Sequence, residues 1–278
     1  MWIKNAAVFG IKKFALPLPI PANLMFEPIG DLQVESCGWG PVQGAPTLGI
    51  PDHTLLYFVQ ERKHIPKSAV DTLLEQRVAQ KEKHEGFAPG KKATKELRER
   101  IVDQLLPRAL STRRRTAVWI DMKNERLVID TASKPVIDAV LKHLLKTFEK
   151  INIGDVSWPR ATRITHWLSD EPAGFALDDE ISIRHPGEHG KTVKFKSADL
   201  AGRDVTEHIK QGASVETMAM TFDGRISFVM TEDCAVRRIK ALGILKEAEK
   251  TDDDRFVNDF YLMTQEVGGL LNALIAEA

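Results

Sequence analysis

The sequence KKATKELRERIVDQLLPRALSTRRRTAVWID, residues 91–121, decides the fold class because it changes from a helical pattern to a strand pattern. Its first part has the spacing of an amphipathic helix, with an apolar stripe beside a basic one. The apolar stripe consists of Leu97, Ile101 and Leu105, and the basic stripe consists of Lys91, Lys95 and Arg98. From Thr116 the residues are mostly apolar, which indicates a buried strand. The stretch therefore predicts an α/β (α+β) protein in which a basic helix leads into a sheet.

The segment before this stretch predicts a helical hairpin. After Pro66 the apolar residues recur at helical spacing, and the polar sequence HEGFAPGKK, residues 84–92, separates this first helix from a second one over residues 94–110. Two helices with a short connection are expected to lie antiparallel. Strands are predicted further upstream, over residues 2–11 and 53–60. We expect the helical hairpin to protrude from mixed and antiparallel sheets.

The segment after it predicts β-hairpins and further helices. The β-hairpins are expected over residues 116–130, 183–196 and 214–230. Helices are expected over residues 133–150, capped by Ser133, and over residues 204–212. Near the C-terminus the apolar residues recur every three or four positions, so the last element is predicted to be a helix with one buried face. These apolar residues are Phe256, Phe260, Met263, Val267, Leu270, Leu271 and Leu274.

The composition is that of a soluble globular protein. The chain has 278 residues, of which 43% are hydrophobic, and it is long enough for one large domain or two ordinary ones. No apolar run approaches the roughly 20 residues that a membrane span needs. The two cysteines lack CxxC spacing, which favours a reducing cytoplasm and argues against a cysteine-based zinc site. We expect a central α/β region, a basic helical hairpin and a C-terminal α/β region, over residues 1–62 with 116–180, 63–115 and 181–278.

The basic residues are concentrated in one part of a chain whose formal net charge is zero. Residues 61–115 contain 15 Lys and Arg against 8 Asp and Glu, whereas residues 241–278 contain 3 against 8. A segregated excess of this kind indicates where a polyanion binds. The run Arg113, Arg114 and Arg115 adds guanidinium groups, which grip phosphate oxygens in pairs. No aromatic residues interleave with the basic ones, so we expect contacts with the backbone of duplex DNA rather than stacking on single strands.

Two other interpretations of these residues stay open. Asp52 follows Pro51, and Glu61 and Lys63 follow across an apolar segment, as in PD…(D/E)xK nucleases that hold a divalent metal with carboxylates. Alternatively, the basic surface is simply solvated and the C-terminal helix docks another protein. Gly-rich phosphate loops and a nucleophile elbow are absent from the sequence. We therefore predict no catalytic residues, no cofactor and no metal.

Several long segments, in order along the chain, resemble the RdgC family of bacterial recombination-associated proteins. They include WIKN, GWGP, LLPRAL, VWIDMKNERLVIDTAS, VKFKSADLAGRDVTEHIKQG, RISFVMTED and DFYLMTQEVGGLLNALIAEA. The resemblance covers nearly the whole chain. This chain is similar to a divergent, shortened member of that family.

The resemblance implies a ring-shaped homodimer through which duplex DNA passes with little sequence preference. It also implies antagonism of the RecA recombinase without catalysis, at the nucleoid in the cytoplasm. Leu110 lies in the segment that matches the family's dimer gate, where the family usually has Phe. Charge and resemblance together give the expected DNA contacts, which are Lys91, Lys95, Arg98, Arg108, Arg113, Arg114, Arg115, Lys194 and Lys196.

Overall fold

The computed structural model describes residues 2–12, 20–148, 150–187, 190–196, 203–231, 233, 235–243 and 252–278. Within these residues the protein is a mixed α/β fold with six α-helices and a large antiparallel sheet. The strands are β1 (Ala6–Lys12), β2 (Glu35–Gly40), β3 (Leu48–Ile50), β4 (His53–Lys63), β5 (Ser111–Asp121), β6 (Arg126–Ile129), β7 (Asn152–Gly154), β8 (Phe175–Arg184), β9 (Thr192–Lys196), β10 (Ser214–Phe222), β11 (Ile226–Thr231) and β12 (Ala235–Ala241). The helices are α1 (Lys67–Glu85), α2 (Lys91–Leu105), α3 (Lys134–Thr147), α4 (Ala161–His166), α5 (Arg203–Lys210) and α6 (Asp252–Ala276).

The chain divides into two compact units. The first unit comprises Met1–Leu18, Val42–Leu56 and Ala117–Ala278, and the second comprises Pro19–Pro41 and Tyr57–Thr116. The strand order is β2-β4-β5-β6-β1-β12-β11-β10-β8-β9, with β3 beside β4 and β7 beside β1. Strands β4 and β5 each contribute residues to both units. None of the described helices has the length and the apolar content that crossing a membrane requires.

The C-terminal helix α6 closes the core of the first unit, as its spacing predicts. Its fully buried residues are Phe260, Met263, Val267, Leu270, Leu271 and Leu274, while Phe256 is half-buried. The rings of Trp119 and Phe222 lie beside Gly268 and Gly269 at distances that an alanine would also tolerate, because a Cβ there would lie 3.7 and 3.9 Å from them. The apolar face of α6 therefore packs into the core of the first unit.

The three predicted β-hairpins form, as β5–β6, β8–β9 and β10–β11. The turn between β10 and β11 contains Asp223 and Gly224 with φ of 48° and 63°, the left-handed pair that a tight two-residue turn requires. Glu188 and His189, in the loop between β8 and β9, lie outside the described residues.

Four local predictions need correction. Helix α2 ends at Leu105 rather than at residue 110, because Pro107 lacks the N–H group that would continue it, and a 3-10 turn over Leu106–Arg108 follows. Helix α3 ends at Thr147 rather than at residue 150. Ser133 occupies the N-cap position of α3, but its side chain makes no capping hydrogen bond. The strand predicted from Thr116 begins at Ser111, so the arginine run lies within β5.

The turn between β5 and β6 rests on a buried polar cluster in the first unit. Asp121 accepts hydrogen bonds from Arg126 Nη2 at 2.7 Å and from Asn124 Nδ2 at 2.8 Å. The indole N–H of Trp119 donates to His53 Nδ1 at 3.3 Å. Burial lowers the pKa of His53 against the opposing charges of Asp121 and Asp52, so its imidazole is neutral near pH 7.

Candidate nucleic-acid interface

Helix α2 presents lysines to solvent in the second unit. Lys91 and Lys95 are exposed, and Lys95 Nζ lies 3.9 Å from Glu99, an exposed pair one turn away that contributes little. Lys91 and Lys92 occupy the first turn, which contains no acidic residue. The helix macrodipole disfavours cations at this end, so these lysines do not serve the stability of the helix. A bound anion would relieve that unfavourable charge.

Arg98 is the third member of the predicted basic stripe. Unlike the two lysines, it is directed towards helix α1. Its guanidinium group pairs with the carboxylate of Asp71 in α1, and both side chains are partly buried. This ion pair joins the two helices across their packed faces. The structure therefore separates Arg98 from the exposed lysines of the same helix.

The three arginines of β5 do not share one surface. Successive side chains of a strand alternate between its two faces, so Arg113 and Arg115 lie on one face and Arg114 lies on the other. Arg113 Nη2 donates to Glu61 Oε2 at 3.1 Å, and its guanidinium carbon lies 4.8 Å from the centre of the Phe26 ring. All three arginines are exposed, but only Arg113 makes these local contacts.

Four of the predicted cations have no acidic neighbour. In the part of the chain that the structure describes, no carboxylate lies within ion-pair distance of Lys91, Arg108, Arg114 or Arg115. Each of these side chains is exposed. Uncompensated cations of this kind can neutralise DNA phosphates and so release the counterions condensed on the DNA.

The residues proposed for a nuclease are held by structural contacts. Glu61 is buried and accepts hydrogen bonds from Ser111 Oγ at 2.6 Å, from Arg113 and from the backbone N–H of Ile29 at 3.3 Å. The Ser111 bond is the largest cause of the lowered pKa of Glu61. Lys63 Nζ donates to two backbone carbonyls, at 2.7 and 2.9 Å. Asp52 belongs to the other unit. Among the described residues, no three His, Cys, Asp or Glu side chains are grouped so that they could hold a metal ion.

Two further predicted lysines lie on strand β9 of the first unit. Lys194 and Lys196 are exposed and share one face, opposite Ser182 and Glu180 of β8. A hydrogen bond from Arg238 Nη1, at 2.9 Å, is the main cause of the lowered pKa of Glu180, and the positive charges of Arg238, Lys196 and Lys194 lower it further. This face therefore mixes both signs of charge, and Glu180 partly screens the lysines.

Exposed apolar side chains lie beside the end of β4 in the second unit. Leu110 is 84% exposed, and Leu32 and Val34 are 75% and 49% exposed. The backbone N–H groups of Lys63 and His64 donate to the carbonyls of Val34 and Leu110, so these two residues flank the same strand end. Large exposed apolar residues that lie together mark an interaction surface.

One aromatic residue contradicts the expectation that none accompanies the basic residues. Phe87 lies in the loop between α1 and α2 and is 65% exposed. The signal was present in the sequence, because HEGFAPGKK has Phe between histidine and lysines. Burial decides whether such a residue is available, and the sequence does not reveal burial.

The whole chain matches bacterial proteins associated with recombination. It is 35% identical to the recombination-associated protein RdgC of Burkholderia cenocepacia over 293 residues, which cover 99% of this chain and 94% of that protein. It is 36% identical to the protein of that name from Ralstonia nicotianae over 99% and 94%, and 33% identical to that from Bordetella pertussis over 99% and 97%. The family described as "Putative exonuclease, RdgC" matches residues 1–277. The chain therefore belongs to the RdgC family.

Proposed function

We propose that this protein acts in recombination by binding duplex DNA through its phosphates, without reading base sequence and without catalysis. The observation that carries the proposal is the set of exposed, uncompensated cations in a chain whose net charge is zero. We assign phosphate contacts to seven residues, which are Lys91, Lys95, Arg108, Arg114, Arg115, Lys194 and Lys196. We assign structural roles to Arg98 and Arg113, because each already pairs with a carboxylate.

Salt dependence tests the proposal. Affinity for a duplex of mixed sequence should fall steeply between about 50 and 200 mM salt, with a log–log slope near −0.9 for each phosphate neutralised. Duplexes of different sequence should bind with similar affinity. Exposure of the same cations without DNA binding at either salt concentration would instead support a solvated surface on a protein-interaction module.

We further propose that two copies form the ring that the family resemblance implies, with Leu110 at a contact between them. The exposed apolar residues beside Leu110 support this assignment. An enclosed circular duplex cannot slide out of a closed ring, whereas a linear duplex can. After a high-salt wash, protein should therefore remain on circular DNA and leave linear DNA. Equal loss from both would contradict enclosure.

The recombinational role is expected to be antagonism of RecA at the nucleoid. Protein that occupies duplex DNA denies it to the recombinase, so strand exchange should slow as protein is added. The variant Arg114→Ala should inhibit less than wild type if DNA occupancy is the cause. Equal inhibition by both proteins would indicate a direct contact with the recombinase instead.

The description of the family as an exonuclease leaves a second candidate, hydrolysis of DNA. The engagement of Glu61 by Ser111 and Arg113 favours a structural role for that carboxylate. Incubation of linear and supercoiled DNA with protein and Mg²⁺ distinguishes the two functions. Degradation that Asp52→Ala abolishes would establish the nuclease, and intact DNA at full binding would support the non-catalytic role.

A further inference from the structure

The loop that joins α1 to α2 displays the aromatic ring of Phe87. A single exposed apolar residue is common on protein surfaces and by itself indicates nothing. Phe87 differs because of its surroundings, which combine an ordered backbone with cations on both sides.

The loop is ordered by its own hydrogen bonds. Gly86 ends α1 in the left-handed conformation, with φ of 79°, and its N–H donates to the Glu82 carbonyl at 2.8 Å. On the other side, Thr94 Oγ1 donates to the carbonyls of Pro89 and Gly90, at 3.3 and 3.1 Å. Phe87 therefore projects from a loop anchored at both ends, and little conformational entropy is lost when its ring is bound.

Basic residues lie on both chain flanks of the ring. Lys83 and His84 occupy the last turn of α1, and Lys91 and Lys92 occupy the first turn of α2. Residues 81–95 contain 5 Lys against 2 Glu. Proteins that deform DNA combine such phosphate contacts with an apolar side chain that enters between base pairs, and aromatic rings stack on any base.

We propose that Phe87 is a base-stacking contact that enters duplex DNA at a step where base stacking is already broken, while the neighbouring lysines hold the adjacent phosphates. This inference rests on the proposed duplex binding and adds a preferred DNA structure to it. A bulge or a mismatch has already lost the stacking that a paired step would have to give up. The ring therefore favours defective duplexes over perfect ones, whatever their sequence.

Binding to two matched duplexes tests the proposal. One duplex is fully paired, and the other has the same sequence with one unpaired base next to 2-aminopurine. The wild-type protein should bind the bulged duplex roughly tenfold more tightly, within the range of one stacked base, and should change the fluorescence of 2-aminopurine. Phe87→Ala should bind both duplexes equally and leave the fluorescence unchanged. Phe87→Trp, which keeps a ring, should retain the preference.

The controls separate this inference from duplex binding itself. Lys92→Ala should weaken binding to both duplexes equally. Leu145→Ala, which removes an exposed apolar side chain of α3 in the first unit, should change binding to neither. If wild type binds neither duplex at about 50 mM salt, duplex binding fails together with the inference. If wild type binds both and Phe87→Ala behaves identically on the bulged duplex, stacking by Phe87 is refuted while duplex binding stands.

Discussion

Arg113 is bound on two sides, by a 3.1 Å hydrogen bond from its Nη2 to Glu61 Oε2 and by the ring of Phe26 beneath its guanidinium group. Its neighbour Arg114 lies on the opposite face of β5, exposed. Two adjacent arginines therefore have different roles. Arg113 holds a local ion pair and a ring contact although its side chain is 46% exposed, whereas Arg114 is available to a phosphate.

Alanine substitution should separate these roles. Arg114→Ala should flatten the log–log salt slope of DNA binding by about one unit and leave thermal unfolding unchanged. Arg113→Ala should change the slope little but lower the free energy of unfolding by about 1 kcal/mol, because a cation–π contact and an ion pair are lost. Anisotropy titrations across salt and urea unfolding measure the two quantities. Equal slope changes for both variants would contradict the assignment.

Removal of the negative charge of Glu180 should strengthen DNA binding, whereas removal of a contacting arginine should weaken it. Its carboxylate lies opposite Lys196 on the adjacent strand, and its lowered pKa keeps it charged near neutral pH. Glu180→Gln keeps an oxygen that accepts from Arg238 but removes the negative charge. We expect DNA affinity to rise roughly two- to fivefold at low salt.

Asp179 provides the matched control for Glu180. It precedes Glu180 on β8 and is exposed, and the cross-strand partner of Lys196 is Glu180 rather than Asp179. Asp179→Asn removes the same charge and should change affinity much less. A similar gain from both substitutions would mean that net charge, rather than the position of Lys194 and Lys196, governs binding.

The sequence predicts the elements whose signals are local. The spacing of Leu270, Leu271 and Leu274 gives the buried face of α6, and Asp223-Gly224 gives the turn between β10 and β11. Pro107 is also a local signal, because proline lacks the N–H group that continues a helix. The prediction extended α2 past this residue, but the helix ends before it. The periodicity of apolar residues and the residue types of tight turns involve only neighbouring positions, so both can be recognised before the fold is known.

The candidate site depends on contacts between residues that are distant in sequence. Glu61 and Arg113 are separated by 52 positions, and nothing near either residue reveals their pairing. The apolar strand pattern begins only at Thr116, yet β5 begins at Ser111, because β4 continues beside the arginine run to Lys63. The availability of Phe87 depends on burial for the same reason. Charge could therefore locate the basic segment but could not rank its residues.

The buried His53 predicts how stability depends on pH. Burial lowers its pKa below the ordinary value of 6.5, so the folded state binds this proton less readily than the unfolded state. Its contribution to stability is therefore complete above pH 6.5 and is lost as the pH falls through the folded pKa. We expect the free energy of unfolding to decrease as the pH falls below 6.5.

His53→Gln isolates this contribution. Glutamine does not titrate, and its side-chain oxygen can accept the hydrogen bond that Trp119 donates at 3.3 Å in the wild type. Urea unfolding of the variant should show a flatter pH dependence over the same range, at a stability near pH 7 close to that of wild type. The same pH dependence in both proteins would show that other groups are responsible.

Leu110 is the residue on which the proposed dimer contact depends most. It is 84% exposed and flanks the end of β4 together with Val34, so a partner that covers it would bury apolar surface on both copies. Leu110→Asp would place an unpaired charge in that contact, and we expect dissociation of the dimer to shift at least tenfold in concentration. Leu110→Phe, which introduces the aromatic residue that the family resemblance implies at this position, should strengthen it. Light scattering during size-exclusion chromatography measures the oligomeric mass of both variants. Leu145→Asp changes another exposed leucine, on α3, and serves as the control. If the wild type is dimeric and the Leu110→Asp variant is equally dimeric, the contact between the two copies lies elsewhere on the chain.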